Sequence, residues 1–218
     1  MASALHPSRP DAPRPGIAER IWDAARGEFS RRGYHGARVQ GIARGASCNV
    51  ALMYRHWASK RALYLDILRS VWVAAASEIV RVLESGPAAP SAVVGAYLDA
   101  MMRDPMGAQI LIREYLDGAP HLAQLAQADP GIFEPVRRAA AALAIGGEDG
   151  MDPVLSAVTV GGLAALIASA REAARPFVDV RVAPEAWRRH AFHILVNGVA
   201  SGRPAPAASG SPADGRVV

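Results

Sequence analysis

Eight residues in one short stretch have types and spacing suited to holding a nucleic acid: Arg38, Arg44, Asn49, Val50, Leu52, Tyr54, His56 and Lys60. Arginine and lysine bring N–H donors and positive charge to phosphate oxygens. Asparagine can donate and accept together against an adenine edge, and valine or leucine can touch a thymine methyl. Most lie in Ile42–Lys60, IARGASCNVALMYRHWASK. Ile42-Ala43 reads as a short helix and Gly45-Ala46-Ser47-Cys48 as a turn. Asn49 then caps a second short helix, roughly Asn49–Arg55, by accepting a bond from a free N–H. Ser59 caps a third helix at Lys60. The Lys60 cation falls where the helix dipole disfavours it, so it calls for an anion such as a DNA phosphate. A helix as short as the second one commonly lies in a major groove while its neighbours hold the backbone.

The elements around this stretch resemble a known family. Ile21-Trp22-Asp23-Ala24-Ala25, then Phe29, then Gly33-Tyr34 follow its opening helix pattern. Val39, Ile42 and Ala43 follow its V-x-x-I-A. Met53-Tyr54-Arg55-His56-Trp57-Ala58-Ser59-Lys60 and Leu63 follow its closing L-Y-x-H-F-x-S-K-x-x-L. Ile21–Leu68 is thereby similar to the DNA-binding domain of the TetR family of bacterial transcriptional regulators. The resemblance implies phosphate contacts for Tyr54 and His56, and core packing for Trp57 where relatives carry a buried phenylalanine. Several positions depart from the pattern. Ser47 replaces the turn glycine, Cys48 a valine, Asn49 the capping serine and Ala51 a glycine. Ala37 and Arg38 replace two threonines, so the second helix lacks its usual cap or relies on Gly36; a missing cap costs about 0.5–2 kcal/mol. Glu28 stands where relatives prefer an apolar residue, and Gly27 is poor inside a helix.

Composition agrees with such a module attached to a separate body. Half of the 218 residues are hydrophobic, and no segment alternates with period two, so the chain is expected to be all-α. Net charge is +4, unevenly spread. Pro15–Ala62 holds nine Arg/Lys against three Asp/Glu, and the remainder fifteen against seventeen. A basic segment joined to a slightly acidic one suits a DNA reader with a sensing domain. Lys60 is the only lysine, so the arginine richness is a compositional bias of the whole chain. The lone Cys48 excludes an internal disulfide and fits a reducing, cytoplasmic setting. It replaces a core valine of relatives, which favours packing over redox sensing. Met1–Gly16 has no apolar run and does not read as a signal peptide. Pro153–Ala170 is eighteen residues without a charge, but its serines, threonine and glycines favour a buried or dimer-seam helix over a membrane span.

The expected organisation is a disordered arm at 1–15, a helix-turn-helix domain at 16–62, an effector-binding and dimerisation domain at 63–202, and a disordered tail at 203–218. Helix one is expected over Gly16–Arg32 with Gly33 as its stop. A long helix follows from Ser59 to Glu84. Further helices are expected at Ser91–Met102, Met106–Leu116, a short piece through Gln127, Pro130–Ile145, Pro153–Arg175 and Pro184–Gly198.

TetR relatives usually bind a small effector in the second domain and then release DNA. The resemblance therefore points to the apolar and aromatic residues Trp72, Tyr97, Met101, Met102, Ile110, Leu111, Tyr115 and Phe133 as an effector site. Arg113 and Glu114 are available there to orient a polar end. A homodimer seam is expected along the last two long helices, with Gly161, Gly162, Ala165, Trp187, Ala191, Ile194 and Leu195. His190 and His193 lie three apart, but no further ligands stand at a recognisable spacing, so no metal site is expected. Neither a cofactor nor catalysis is expected, for want of a Ser/His/Asp arrangement, paired carboxylates or a phosphate loop. The resulting expectation is a regulator, a repressor by family habit, that leaves a palindromic double-stranded DNA operator when a small effector binds. Its alternatives are an all-α ligand-binding protein or enzyme that has lost operator binding, and a regulator controlled by a protein partner or redox.

Overall fold

The computed structural model describes residues 16–143, 153–174 and 183–197; the arm, the tail, Ile145 and the neighbouring Gly146-Gly147 lie outside it. Among the described residues every regular element is helical. In chain order these are α1 (Ile17–Gly36), α2 (Val39–Gly45), α3 (Val50–His56), α4 (Lys60–Glu84), α5 (Pro90–Arg103), α6 (Pro105–Leu116) and α7 (Pro120–Ala128). A 3₁₀ turn (Pro130–Phe133) then leads into α8 (Glu134–Leu143), α9 (Pro153–Ala174) and α10 (Pro184–Asn197).

The first unit forms because α1 repeats apolar residues one turn apart. Ile21, Ala25 and Phe29 are buried, and Phe29 meets Tyr64 of α4 edge-on at 4.9 Å. Ile42 and Ala43 of α2 and Met53 of α3 close the same core. Gly33 ends regular helix in α1, with φ +65°, a conformation that glycine adopts without steric cost. Ser47 takes φ +51° in the α2–α3 turn, where the family pattern has glycine.

Helix α4 begins in this unit and ends deep in the next. Ser59 accepts from Ala62 N–H to cap it. Leu63, Tyr64, Ile67, Leu68, Val71, Trp72, Ala75, Ala76 and Ile79 make its buried stripe. At 1.5 Å per residue it spans roughly 37 Å. The border expected at residues 62 and 63 thus falls inside the first turn of a continuous helix. One hydrophobic core runs across it, from Ile21 and Phe29 to Met101, Ile110, Leu111 and Ala165.

Around α4 most of the remaining helices start at a proline. Pro90, Pro105, Pro120 and Pro184 open α5, α6, α7 and α10, the position where a missing N–H costs nothing. The segment expected as one helix from Pro130 divides into the 3₁₀ turn and α8. Asp129 accepts from Gly131 N–H, and the Trp72 indole N–H donates to the Ile132 carbonyl at 2.9 Å, so this carbonyl is claimed from outside the helix. No described helix is long and apolar enough to cross a membrane.

Helix α9 packs against α5, α6 and α8 through Ala164, Ala165 and Ala168. This corrects the expected seam. Ala165 is 0 % and Ala191 2 % exposed within a single protomer, so neither can meet a second subunit. Gly161 faces the Tyr97 ring, while Gly162 borders open space. Trp187, Ile194 and Leu195 are half-buried, Leu195 against the cluster of Leu98, Ala164 and Ala191. The open side of α9 instead carries Val158, Leu163 and Leu166, and that of α10 carries Val196.

Candidate nucleic-acid interface and effector cavity

Helix α3 presents its exposed side next to that of α2. Asn49 caps α3, its Oδ1 accepting from Leu52 N–H at 2.7 Å, which fixes the orientation of its side chain. Val50 and Leu52 are half-buried. Arg38, Arg44, Tyr54 and His56 are exposed, and the Tyr54 ring stands into solvent. Arg55, Gln40 and Ser47 are exposed on the same surface and escaped the sequence reading. Arg55 could have been found from its position one turn beyond the exposed Ala51. No salt bridge joins Arg38, Arg44 or Arg55 to an acid among the described residues. Three solvated cations therefore stand at the two ends of α2 and in the last turn of α3, a concentration of charge that attracts a polyanion.

Lys60 is placed differently from the expectation. Its ammonium donates to the carbonyls of Tyr34 at 2.7 Å and Ala37 at 3.0 Å, and lies 4.5 Å from the centre of the Tyr34 ring. The cation unfavourable to the start of α4 is thus matched by carbonyls at the end of α1. Burial holds its pKa below the usual lysine value. An ammonium has three donors, so one remains beyond these two bonds. Trp57 is half-buried as expected, with its indole N–H donating to Asp66 at 2.9 Å.

The two odd residues of the first unit answer each other. Glu28 is buried in α1 and reaches the start of α2, where its Oε1 accepts from Arg38 N–H at 3.4 Å. Arg31 and Arg32 flank the carboxylate at 3.5 and 3.1 Å. Glu28 thereby supplies from another helix the hydrogen-bond acceptor that a local threonine cap would have placed at this N-terminus, and adds a negative charge there. Gly41 makes room for it, since a Cβ there would stand 2.9 Å from Glu28 Oε1. Cys48 is half-buried against the same core.

In the second unit the expected effector residues separate into three groups. Met101, Ile110 and Leu111 are fully buried core, and Met102 is half-buried between two clusters. Arg113 turns toward α1 and donates to the carbonyls of Ser30 and Arg31, both at 2.8 Å. Glu114 is 1 % exposed and caps α7, accepting from His121 N–H at 2.6 Å and Leu122 N–H at 3.1 Å. Its other oxygen meets the Tyr64 hydroxyl and lies 3.1 Å from His121 Nδ1. Neither charged residue is free to orient a ligand, because each satisfies, or is satisfied by, backbone groups at a helix end. Trp72, Tyr97 and Tyr115 do line a partly open apolar cavity of about 50 Å³. Phe133 lies 4.5 Å from the Trp72 ring and supports it from behind. Among the described residues no cluster of potential metal ligands occurs; His193 pairs with Asn197 instead.

A family model described as "Bacterial regulatory proteins, tetR family" matches residues 21–67, the segment that builds α1 to the start of α4. Residues 21–67 thus match the DNA-binding domain of the TetR family. Solved structures agree with this TetR-family fold over most of the chain. The regulator SCO4942 of Streptomyces coelicolor is 26 % identical, with 83 % of this chain and 96 % of that one covered and a TM-score of 0.57. A TetR-like regulator from Rhodococcus sp. RHA1 is 16 % identical, covering 88 % and 100 %, with a TM-score of 0.58. The structure of AibR in complex with isovaleryl coenzyme A and operator DNA is also 16 % identical, covering 82 % and 97 %, with a TM-score of 0.59. No curated protein matches the chain.

Proposed function

We propose that this TetR-family protein is a cytoplasmic transcriptional repressor that binds a near-palindromic operator as a homodimer and releases it when a small molecule binds. The observation carrying the DNA reading is the set of exposed, unpaired cations Arg38, Arg44 and Arg55 at the two ends of α2 and in the last turn of α3. Tyr54 and His56, exposed beside them, supply a hydroxyl and a ring N–H for phosphate. The Glu28 carboxylate at the start of α2 supports a working DNA-binding unit over one that has decayed. The departure from the family's threonine cap is matched by a second departure that replaces its acceptor oxygen.

The dimer reading rests on the exposed apolar side chains Val158, Leu163 and Leu166 of α9 and Val196 of α10. A row of such residues marks an interface, and a two-fold pairing places two α3 helices on successive major grooves. The effector reading rests on the apolar cavity beside α4, the helix that also carries the DNA-binding unit. A guest bound there need only favour a different α4 position than DNA does, and each ligand then weakens the other by the same factor. The AibR structure holds both operator DNA and an acyl-coenzyme A on the same fold, which supports pairing the two sites in one chain.

A gel-shift titration with DNA flanking the chain's own gene tests the reading. The expected result is a complex that survives competition by a scrambled duplex and weakens steeply with salt. Equal binding to both duplexes would remove the operator-specific reading.

A further inference from the structure

What α3 can read depends on which of its side chains face away from the protein. Met53 is fully buried and fixes the inward direction of this helix. At 3.6 residues per turn, Ala51 and Arg55 fall roughly 160° and 200° from Met53, on the outward side. Both are exposed. Leu52 and Tyr54 lie about 100° away on either flank, and Val50 about 60° away, turned toward the core. Val50 and Leu52 are accordingly half-buried, while Tyr54 is 43 % exposed. Asn49 stands just before the helix with its Oδ1 turned back onto Leu52 N–H. The outermost residue of the first turn of α3 is therefore Ala51. It carries a methyl group where the family pattern has glycine. A methyl neither donates nor accepts a hydrogen bond, so it has no means of matching the polar edges of adenine, guanine and cytosine. In the major groove the apolar group on a base edge is the C5-methyl of thymine, and alanine is one of the residues that pack on it. Alanine is also short, so the α3 backbone lies close to whatever Ala51 touches. Arg55 stands four residues on, about 6 Å along the axis, and its long side chain carries the charge past the base edges to a phosphate.

Resting on the operator-binding reading above, we propose that Ala51 is a specificity-determining residue, whose methyl group packs on the C5-methyl of one thymine in each operator half-site. Leu52 and Tyr54 flank the contact. Glycine at this position has no side chain to make it, so the base preference set by Ala51 belongs to this chain and does not follow from the family pattern. The contact selects by apolar surface alone. It discriminates thymine from the other bases without a hydrogen bond, and Arg38, Arg44 and Arg55 supply the charge that holds α3 against the duplex.

The test uses the full chain and the duplex that gel shift selects from the DNA flanking its gene. Each thymine of that duplex is replaced in turn by deoxyuridine, which removes the C5-methyl and keeps every hydrogen-bonding group and phosphate. Burial of one methyl corresponds to a factor of about four in affinity. One thymine per half-site is therefore expected to weaken binding about fourfold when replaced, and replacement in both half-sites about fifteenfold. Ala51→Gly should weaken binding to the unmodified duplex by about the same fifteenfold and be indifferent to deoxyuridine at those two positions. Its salt dependence should match that of the unaltered protein, since no phosphate contact is lost. Glycine is the residue of the family pattern here, and thermal melts check that the variant is folded. The deoxyuridine scan of the unaltered protein needs no variant at all. An operator-specific protein with no sensitive thymine, or one whose sensitive thymines all stay equally sensitive in Ala51→Gly, would overturn the proposal and leave the repressor reading intact. Equal binding to every duplex would remove the repressor reading, and this proposal with it.

Discussion

The Tyr64 hydroxyl donates to the Glu114 carboxylate at 2.9 Å, joining α4 to α6 inside the protein. Burial and then the Glu114 charge raise the Tyr64 pKa well beyond its ordinary value near 10. Tyr97 is raised likewise, chiefly by burial, and Tyr115 to about 12.

These tyrosines make stability fall in alkali. The unfolded chain releases their protons near pH 10 while the folded chain holds them. Their contribution is complete below pH 10 and is lost as pH climbs toward the folded values, to about 12 for Tyr115 and further for the others. Three such groups should remove roughly 3–4 kcal/mol between pH 9 and pH 11 in urea unfolding. Tyr64→Phe should lessen that fall by about a third. An equal fall in the variant would mean that Tyr64 ionises as freely in the folded protein as in the unfolded one.

Lys60 and Arg55 should separate folding from DNA binding. Lys60→Ala leaves the Tyr34 and Ala37 carbonyls without their ammonium and should lower stability by about 1–3 kcal/mol. Arg55 is exposed with no ion pair among the described residues. Arg55→Ala should leave the melting temperature unchanged and shallow the salt dependence of operator binding by about one log–log unit. An unaltered slope would take Arg55 off the phosphate backbone.

Glu28 and Arg38 should be coupled. Glu28→Leu restores the apolar residue of the family pattern but removes the carboxylate from the start of α2. The expected loss is about 0.5–2 kcal/mol. Adding Arg38→Thr, which brings back a local cap, should recover part of it. Additive effects in this double-mutant cycle would show that the two departures are independent.

Neighbouring positions on α9 should respond oppositely to the same substitution. Ala165→Arg forces a charge into the protomer's own core and should prevent folding. Leu166→Arg lies on the open side, 48 % exposed; light scattering should find this variant a folded monomer and the unaltered protein a dimer. A folded Leu166→Arg dimer would place the subunit contact elsewhere.

Local chemistry made much of this legible in the sequence. Asn49 and Ser59 cap the helices they were expected to cap, because an N-cap needs only its own side chain and an N–H three residues on. Proline marked the starts of α9 and α10, and Gly33 the end of regular helix in α1, because backbone geometry at these residues is intrinsic. The division at Pro130–Phe133 was not legible, because a tryptophan sixty positions away claims the Ile132 carbonyl. Lys60, Arg113 and Glu114 escaped for the same reason. Each looked like a charge awaiting a ligand, and each found its partner on another helix. Periodicity showed that α9 is apolar nearly all round, but not which side turns inward. Packing against α5, α6 and α8 decided that, taking Ala165 into the core and leaving Leu166 outside. A sequence carries the local terms of the free energy. Which polar groups satisfy each other across tens of residues is set when helices pack, since a buried charge or carbonyl accepts whichever partner the tertiary arrangement brings within reach.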